Sequence, residues 1–399
     1  MMYCSVKKSL IALFALFLSG CSSADDETSD NTLTVGGNDV MLEAANPSKP
    51  NAMKVFIHYM PWFVPPASSG VWNHWTMSAD ALLPNESNIA SRFHPLTGAY
   101  SSADEAILDY QCLLMKYAGA DGVFIDWYGT QQANDYPQNE TNTQAVVKAV
   151  ERAGLKFALV YEDATLNNVS NKAQQAWSDM RYVSQNYATS KSYVQIDNQP
   201  LMLVFGPQAL TSPDDWDFAL NAFATRPKMV VLNGFSNKAN NDKFNNAQGE
   251  FLWVNASPQY ADAKQFDIYI GGAMPGFDDV YSEHNQGAGY TTYDRKDGEL
   301  FVSQLNAASE AGLQWLQIST WNDYGEGTTI EPTVEYKYQY LTLLQKFTGV
   351  KYSQRELELI YRWYKLRAAL PNDKQVQLAY DYLNALQPDE AENIINSLE

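Results

Sequence analysis

The chain has 399 residues, of which 46 are acidic and 27 basic, and its formal net charge is −19. A surface of that sign repels a phosphate backbone, which excludes nucleic-acid binding as the main role. Hydrophobic residues make up 45% of the chain, enough to bury a large core, while 3 Cys and 4 His are too few for a disulfide scaffold or a zinc ribbon. An acidic chain with 10 Trp and 25 Tyr suits a neutral, polyhydroxylated ligand, because rings stack on sugar faces and carboxylates accept hydroxyl hydrogen bonds.

The first 20 residues have the pattern of a secretory signal. Lys7 and Lys8 precede an apolar run that ends at Leu18, and this run is shorter than the roughly 20 residues a transmembrane helix needs. The sequence Leu-Ser-Gly-Cys that ends at Cys21 resembles a bacterial lipobox, so we expect Cys21 to be lipidated and to become the first residue of the mature chain. An ordinary signal peptide with a chance cysteine is the alternative.

Residues 21–52 are rich in Asp, Gly and Pro and are predicted to form a flexible tether between lipid and folded domain. The residue after the lipidated cysteine influences membrane sorting: an Asp there would favour the inner membrane, but this chain has Ser22. We therefore expect an anchor in the bacterial cell envelope, at the outer membrane. No later segment is apolar enough to cross a bilayer.

From residue 53 to 349, short apolar runs alternate with amphipathic stretches. The predicted strands are Lys54–Tyr59, Gly122–Trp127, Lys156–Glu162, Pro200–Phe205, Met229–Gly234, Phe251–Asn255, Phe266–Gly271 and Leu313–Thr320. The predicted helices between them include Ala103–Tyr117, Thr141–Ala153, Lys172–Tyr187 and Glu299–Ala311. Most strands are continuous hydrophobic runs, as is typical of parallel strands buried on both faces.

Eight such repeats predict an α/β protein with a (β/α)8 TIM barrel. A doubly wound open sheet has the same periodicity, but no G-x-G-x-x-G motif follows the first strand, which disfavours its dinucleotide-binding form. Residues 350–399 carry two apolar helical stripes, Leu357–Tyr364 and Val376–Leu386, and are predicted to form extra C-terminal helices packed on the barrel.

Polar and aromatic residues collect where the predicted strands end. The candidate site residues at these positions are Tyr59, Trp62, Asp126, Trp127, Tyr128, Glu162 and Asn322. In a barrel the ends of all strands share the C-terminal rim, where active sites are built. Glu162 could act on a substrate, orient a hydroxyl group or lock the barrel through an ion pair, and Asp126 could instead cap a turn.

Asp323 and Glu326 lie three residues apart after the last strand, so a loop or one helical turn could direct both into one cavity. Glycosidic hydrolysis needs two such groups, one protonated and one ionised. The alternative is a solvated loop with ordinary surface acids. His58, His74 and His94 lack metal-ligand spacing, so we expect neither a metal nor a cofactor.

Four segments resemble the opening of glycoside hydrolase family 99, which contains endo-α-mannosidases and α-mannanases. They are His58-Tyr59-Met60-Pro61-Trp62, Trp72-Asn73-His74-Trp75, the stretch from Phe93 to Ser102, and Ala118-Gly119-Ala120-Asp121-Gly122-Val123-Phe124-Ile125-Asp126-Trp127-Tyr128. Trp321-Asn322-Asp323-Tyr324-Gly325-Glu326 instead resembles family 71, the α-1,3-glucanases, and the following Gly327 to Pro332 returns to the family 99 pattern. Both families have a (β/α)8 catalytic domain, and the resemblance spans about residues 53–345.

The resemblance implies that Glu326 is the general acid and Asp323 the base, a position held by Glu in family 99 and Asp in family 71. In family 99 the base is thought to deprotonate the sugar 2-hydroxyl, which gives a 1,2-anhydro intermediate and net retention. In family 71 it activates water and the configuration inverts. Because Asp is one methylene shorter than Glu, both outcomes stay open. Glu162, Tyr59 and Trp127 match substrate-contacting residues of family 99.

These observations predict a monomeric, lipid-anchored glycoside hydrolase that cleaves α-linked glycans of the α-mannan or α-glucan type, internally. The competing interpretation is a non-catalytic glycan-binding surface lipoprotein built on the same barrel. A barrel enzyme of another hydrolytic type is a third possibility.

Overall fold

The computed structural model describes residues 42–66, 72–76, 89–284 and 287–399. The predicted signal, Cys21 and the tether up to residue 41 lie outside the described residues. The strands are β1 (Lys54–Tyr59), β2 (Gly122–Trp127), β3 (Lys156–Tyr161), β4 (Gln195–Ile196), β5 (Gln199–Val204), β6 (Lys228–Leu232), β7 (Ala247–Phe251), β8 (Ile268–Ala273) and β9 (Trp315–Ile318).

Eight of these strands form a closed parallel ring. The hydrogen-bonded order runs β3-β2-β1-β9-β8-β7-β6-β5, and β3 also pairs with β5, which closes the sheet. The two-residue β4 pairs antiparallel with the start of β5. The prediction of a (β/α)8 barrel is therefore confirmed, and the open doubly wound sheet is ruled out.

The helices are α1 (Glu105–Tyr117), α2 (Tyr136–Arg152), α3 (Lys172–Asn186), α4 (Pro213–Leu220), α5 (Ser236–Ala239), α6 (Glu299–Glu310), α7 (Gln339–Thr348), α8 (Gln354–Ala369), α9 (Lys374–Asn384) and α10 (Pro388–Leu398). Local capping sets several of their starts. The Asp104 side chain accepts a hydrogen bond from the Ile107 N–H, and Ser353 with Glu356 forms a capping box at α8. Within the described part of the chain, no helix is both long and apolar enough to cross a membrane.

The alternation of side chains along the strands decides which residues can reach the barrel interior. Phe56 of β1 and Phe124 of β2 stack inside the ring, with their centroids 4.5 Å apart. Because side chains alternate along a strand, Asp126 points inward like Phe124, two residues before it, and Trp127 points outward. The same rule turns Tyr59 towards α1, where its hydroxyl donates to Gln111.

One strand lies where the sequence pattern does not place it. The apolar run of residues 251–255 predicts the sixth parallel strand, whereas β7 spans Ala247–Phe251. The observed strand contains Gln248, Gly249 and Glu250, so it lacks a continuous apolar signal. Gly249 is needed there, because a Cβ atom would lie 1.8 Å from the carbonyl oxygen of Ile268 on β8. The predicted position of this strand is wrong, because the segment that forms β7 is the one whose glycine lets its backbone approach β8, and not the most hydrophobic one.

The helices of residues 350–399 cover the outside of α1. Tyr110 of α1 packs against Tyr364 of α8, with centroids 5.0 Å apart. Trp363 donates from its indole to the Val376 carbonyl of α9 at 3.0 Å, and its ring lies 5.4 Å from Tyr380. These aromatic side chains therefore form core contacts between helices.

Candidate active site

The loop after β9 brings Asp323 and Glu326 to the C-terminal mouth of the barrel. The Trp321 N–H donates to the His58 carbonyl at 2.7 Å, which fixes the start of the loop to β1. The Asp323 N–H donates to the Thr320 hydroxyl at 2.7 Å. The Glu326 N–H then donates to the Asp323 Oδ1 at 2.9 Å, so the two predicted catalytic residues belong to one hydrogen-bonded turn.

Two adjoining cavities form a groove across this mouth. A cavity of about 900 Å³ is bordered by Asp323 and by aromatic residues on both sides, among them Trp62 and Tyr290. A second cavity of about 490 Å³ is bordered by Glu162. Tyr128 and Asp135 border both cavities, so the groove is continuous from the β2 and β3 loops to the loop after β9.

Asp323 and Glu326 have different surroundings although they are close neighbours. Burial raises the pKa of Asp323 to about 6. Hydrogen bonds from the backbone N–H groups of Glu326 and Gly325, together with the charge of His74, act in the opposite direction and lower that pKa. Burial raises the pKa of Glu326 well above its usual value, and the negative charges of Asp323 and Asp279 add to the effect. Among the described residues, the contact that counteracts this rise is with the Tyr281 hydroxyl, which lies 3.5 Å from the Glu326 Oε1.

The arrangement therefore favours an ionised Asp323 and a protonated Glu326 near neutral pH. This is the pairing that general acid–base chemistry requires, because one group must give a proton while the other accepts one.

Asp126 and Glu162 form a second pair of acidic side chains, at the ends of β2 and β3. The two carboxyl groups are close enough that each shifts the pKa of the other. Asp126 is 2% exposed, and among the described residues no N–H group or hydroxyl donates to either of its carboxylate oxygens. Burial raises the pKa of Asp126 to about 8 and that of Glu162 well above its usual value. One shared proton is the simplest way to hold two such groups together.

An aromatic wall faces these carboxyl groups. Trp62 stacks on His74, with centroids 4.6 Å apart and planes 6° from parallel, and lies 6.3 Å from Tyr128. The His74 Nε2 lies 2.6 Å from the Asp135 Oδ2. Burial raises the pKa of Asp135, but the hydrogen bond and charge of His74 outweigh it, and the net pKa is lowered. His74 is thus fixed between an aromatic ring and a carboxylate.

Three of the predicted substrate-contacting residues lie beneath the groove. Tyr59 is 1% exposed and donates to Gln111 at 2.7 Å, and Trp127 is fully buried, with its indole donating to Glu140 of α2 at 2.6 Å. Asn322 is also fully buried and clamps both backbone groups of Met60, accepting from its N–H at 2.8 Å and donating to its carbonyl at 3.0 Å. The strand alternation described above turns Tyr59 and Trp127 towards the helices, away from the sugar-sized groove.

A buried carboxyl group that the sequence reasoning missed supports the site from below. Glu331 accepts hydrogen bonds from Gln111 at 2.7 Å and from the hydroxyls of Tyr100 and Tyr324 at 2.8 Å each. Burial raises its pKa to about 7 despite these three donors. The network ties the loop that carries Asp323 and Glu326 to α1. Only its position after β9 could have indicated this role.

Comparisons with known proteins agree with this architecture. A curated relative from Danio rerio, a glycoprotein endo-alpha-1,2-mannosidase-like protein, is 21% identical over 77% of this chain and 77% of its own length. The glycoprotein endo-alpha-1,2-mannosidase of Xenopus laevis is 22% identical over 84% of this chain and 85% of its own. The solved family 99 endo-alpha-mannosidase of Bacteroides thetaiotaomicron superposes with a TM-score of 0.60 at 18% identity, covering 78% of this chain and 99% of that one. The chain is family 99-like in sequence and fold.

A protein-family profile described as a domain of unknown function, DUF5010, also matches residues 217–359. In the family 99-like barrel this stretch runs from α4 to α8 and contains the loop with Asp323 and Glu326. Within the described residues, no group of three or more His, Cys, Asp or Glu side chains is arranged to hold a metal ion.

Further groove residues escaped the sequence reasoning. Asp135, Tyr281 and Tyr290 border the large cavity but come from loops after β2 and β8 that carry no recognisable motif. From the sequence, the only role considered for His74 is that of a possible metal ligand. In the structure it lines the groove. Loop residues of this kind are found only when the backbone path is known.

Proposed function

We propose that this protein is a glycoside hydrolase that cleaves α-linked, mannose-containing glycans internally, with Glu326 as general acid and Asp323 as base. The observation that carries the proposal is the contrast between the two carboxyl groups. Asp323 accepts hydrogen bonds from backbone N–H groups. Glu326 lies near the negative charges of Asp323 and Asp279, and its hydrogen-bond donor among the described residues is a tyrosine hydroxyl at 3.5 Å. The relatives named as endo-α-mannosidases support the choice of linkage and sugar.

The chemistry follows from the protonation states. Glu326 donates its proton to the oxygen of the bond being cleaved, so that the departing sugar leaves as a neutral alcohol. Asp323 accepts a proton, either from water or from the 2-hydroxyl of the sugar that stays in the groove. Trp62 and Tyr128 offer ring faces for that sugar. We propose that Glu162, which borders the smaller cavity, binds hydroxyl groups of that sugar together with its buried neighbour Asp126. Glu162, Asp126, Trp62 and Tyr128 are thus the substrate-contacting residues that we propose.

A substrate screen tests the proposal directly. The purified protein is incubated with α-mannans and α-glucans, and the anomer of the first product is followed by NMR. Release of oligosaccharides from the interior of an α-mannan is the expected result, and the anomer distinguishes retention through the 2-hydroxyl from inversion through water. Binding of the glycan without cleavage would replace this proposal with a non-catalytic glycan-binding lipoprotein.

The pH dependence of kcat/KM is expected to rise with pH through about 6. The base must be ionised, and the pKa of Asp323 is raised to about 6, so activity is low below that pH. The acid must stay protonated, and because the pKa of Glu326 is raised well above its usual value, the fall in activity comes at higher pH. Asp323→Asn should remove the acidic limb together with most of the activity. An acidic limb near pH 4 in the parent would contradict the assignment of Asp323.

We also propose that Cys21 carries a lipid anchor in the bacterial cell envelope, at the outer membrane, and that the protein is a monomer. The support is the lipobox-like sequence before Cys21 and the Ser at residue 22. Cys21→Ala is expected to move the protein from the membrane fraction to the soluble fraction, as measured by fractionation and immunoblotting. Ser22→Ala is the control, because it leaves the acylated cysteine in place. Equal membrane association of Cys21→Ala and the parent would overturn the anchor.

A further inference from the structure

A large aromatic side chain stands exposed at one end of the groove. Tyr290 is 70% exposed and borders the 900 Å³ cavity. The other large hydrophobic residues with high exposure, Phe218, Val334 and Leu370, do not border that cavity. A single exposed apolar side chain is common on protein surfaces, so the position of Tyr290 is what matters: a ring face at the edge of a groove is a surface on which a sugar can stack.

The backbone around Tyr290 holds the ring in place. The Tyr290 N–H donates to the Asp279 Oδ2 at 2.7 Å, and the Tyr281 N–H donates to the Asp279 Oδ1 at 3.0 Å. The ring meets Tyr281 and Phe277 edge-on, with centroids 6.0 Å away in both cases. Phe277 and Tyr293 exchange two backbone hydrogen bonds, which closes the base of this loop. A ring fixed in this way loses little conformational entropy when it binds a ligand.

One side chain, Tyr281, joins Tyr290 to Glu326. Tyr281 contacts Glu326 through its hydroxyl and Tyr290 through its ring, so a sugar stacked on Tyr290 would lie next to the residue that we propose as the acid. The opposite end is formed by Tyr128, Asp135 and Glu162. A general acid must lie on the side of the departing sugar, because it protonates the oxygen that leaves.

We infer that Tyr290 is the platform of a leaving-group subsite, which stacks a sugar ring of the glycan on the reducing-end side of the cleaved bond. The inference rests on the proposed function and adds the polarity of the bound chain, with its non-reducing end over Tyr128 and Glu162. The occupant is a neutral pyranose. Asp279 already accepts two backbone hydrogen bonds and the Arg92 guanidinium is paired with Glu283 and Asp278, which leaves this end without a free cation for an acidic sugar among the described residues.

Chain-length dependence tests this subsite. Parent, Tyr290→Ala and Tyr290→Phe are compared on α-linked mannose oligosaccharides that carry two or more sugars on the leaving side, and on an α-mannosyl or α-mannobiosyl fluoride, whose leaving group is a single atom. Tyr290→Ala should lose about fivefold to tenfold more kcat/KM on the long substrates than on the fluorides, because one aromatic platform is removed. Tyr290→Phe should restore the long-substrate value, because the ring face is kept. Phe218→Ala, an exposed ring on α4, is the control and should match the parent.

Calorimetric binding of the same oligosaccharides is measured alongside. If the parent binds but does not cleave, the proposed function fails, and a weaker Kd for Tyr290→Ala than for Phe218→Ala still supports the subsite. Equal losses of Tyr290→Ala on long and short substrates, an unchanged Kd, or a Tyr290→Phe variant as impaired as Tyr290→Ala would overturn it. A parent that neither binds nor cleaves these oligosaccharides would overturn both.

Discussion

Glu326→Gln is expected to lower kcat on an unactivated α-linked glycan by about 10²–10⁴, the usual worth of general acid catalysis. Gln keeps the size and polarity of the side chain but cannot give up a proton to the departing oxygen. The fold should be unaffected, because among the described residues the carboxyl group accepts no hydrogen bond shorter than the 3.5 Å contact from Tyr281. Circular dichroism and the melting temperature check that expectation.

The leaving group decides whether the loss comes from the missing proton. An aryl glycoside with an acidic phenol as leaving group departs as a stable anion and needs little protonation, so Glu326→Gln should retain far more of the parental rate on it than on the glycan. Glu335→Gln provides a matched control, since it makes the same type of change at a residue that is paired with His94 and does not border the groove. Equal losses on both types of substrate would assign Glu326 to binding and not to proton transfer.

Asp126→Asn is expected to stabilise the protein while reducing its activity. At pH 8 the free energy of unfolding should rise by about 2–4 kcal/mol, since a tenfold difference in proton affinity between the folded and unfolded states corresponds to about 1.4 kcal/mol. The amide keeps the shape of Asp126, carries no charge and can donate to Glu162. We expect kcat/KM to fall by about tenfold. Polar groups buried in an active site often destabilise the fold and serve activity, so removing the Asp126 carboxyl group should raise stability and lower activity.

The sign of the pH dependence follows from the raised pKa. Burial raises the pKa of Asp126 to about 8, so between about pH 4 and pH 8 the folded state holds a proton that the unfolded state has lost. The stability of the parent therefore falls as the pH rises through this range. The gain from Asp126→Asn should be large at pH 8 and small at pH 5, as measured by denaturant unfolding at both pH values. Asp242→Asn, an exposed acid, should show no such difference. A variant less stable than the parent at both pH values would contradict the shared-proton interpretation.

The barrel was predictable because its strands are buried on both faces. Continuous apolar runs such as Val123 to Ile125 are typical of such strands, and β1 and β2 were predicted with their observed bounds. The segment of β7 was not predictable, because Gly249 is there to let two backbones approach, a requirement that leaves no hydrophobic signal.

The site was predictable where strand ends carry inward-facing residues. Asp126 and Glu162 were selected because they end buried runs. In the structure Glu162 borders the groove and Asp126 is its buried neighbour. Tyr59 and Trp127 were selected by the same reasoning, although each is adjacent to an inward-facing residue and must point the other way. Tyr290 and Asp135 lie on loops whose course depends on tertiary contacts, so periodicity alone could not bring them to the groove.

The clamp between Asn322 and Met60 joins residues that are 262 positions apart in the chain. Two sets of hydrogen bonds attach the loop with Asp323 and Glu326 to the first strand and the residue after it: those between Asn322 and Met60, and the one from the Trp321 N–H to the His58 carbonyl. Before β9 pairs with β1, these hydrogen bonds are absent, so nothing fixes the positions of the two carboxyl groups relative to the barrel. Catalytic competence is in this sense a property of the completed ring, acquired only once β9 has docked on β1.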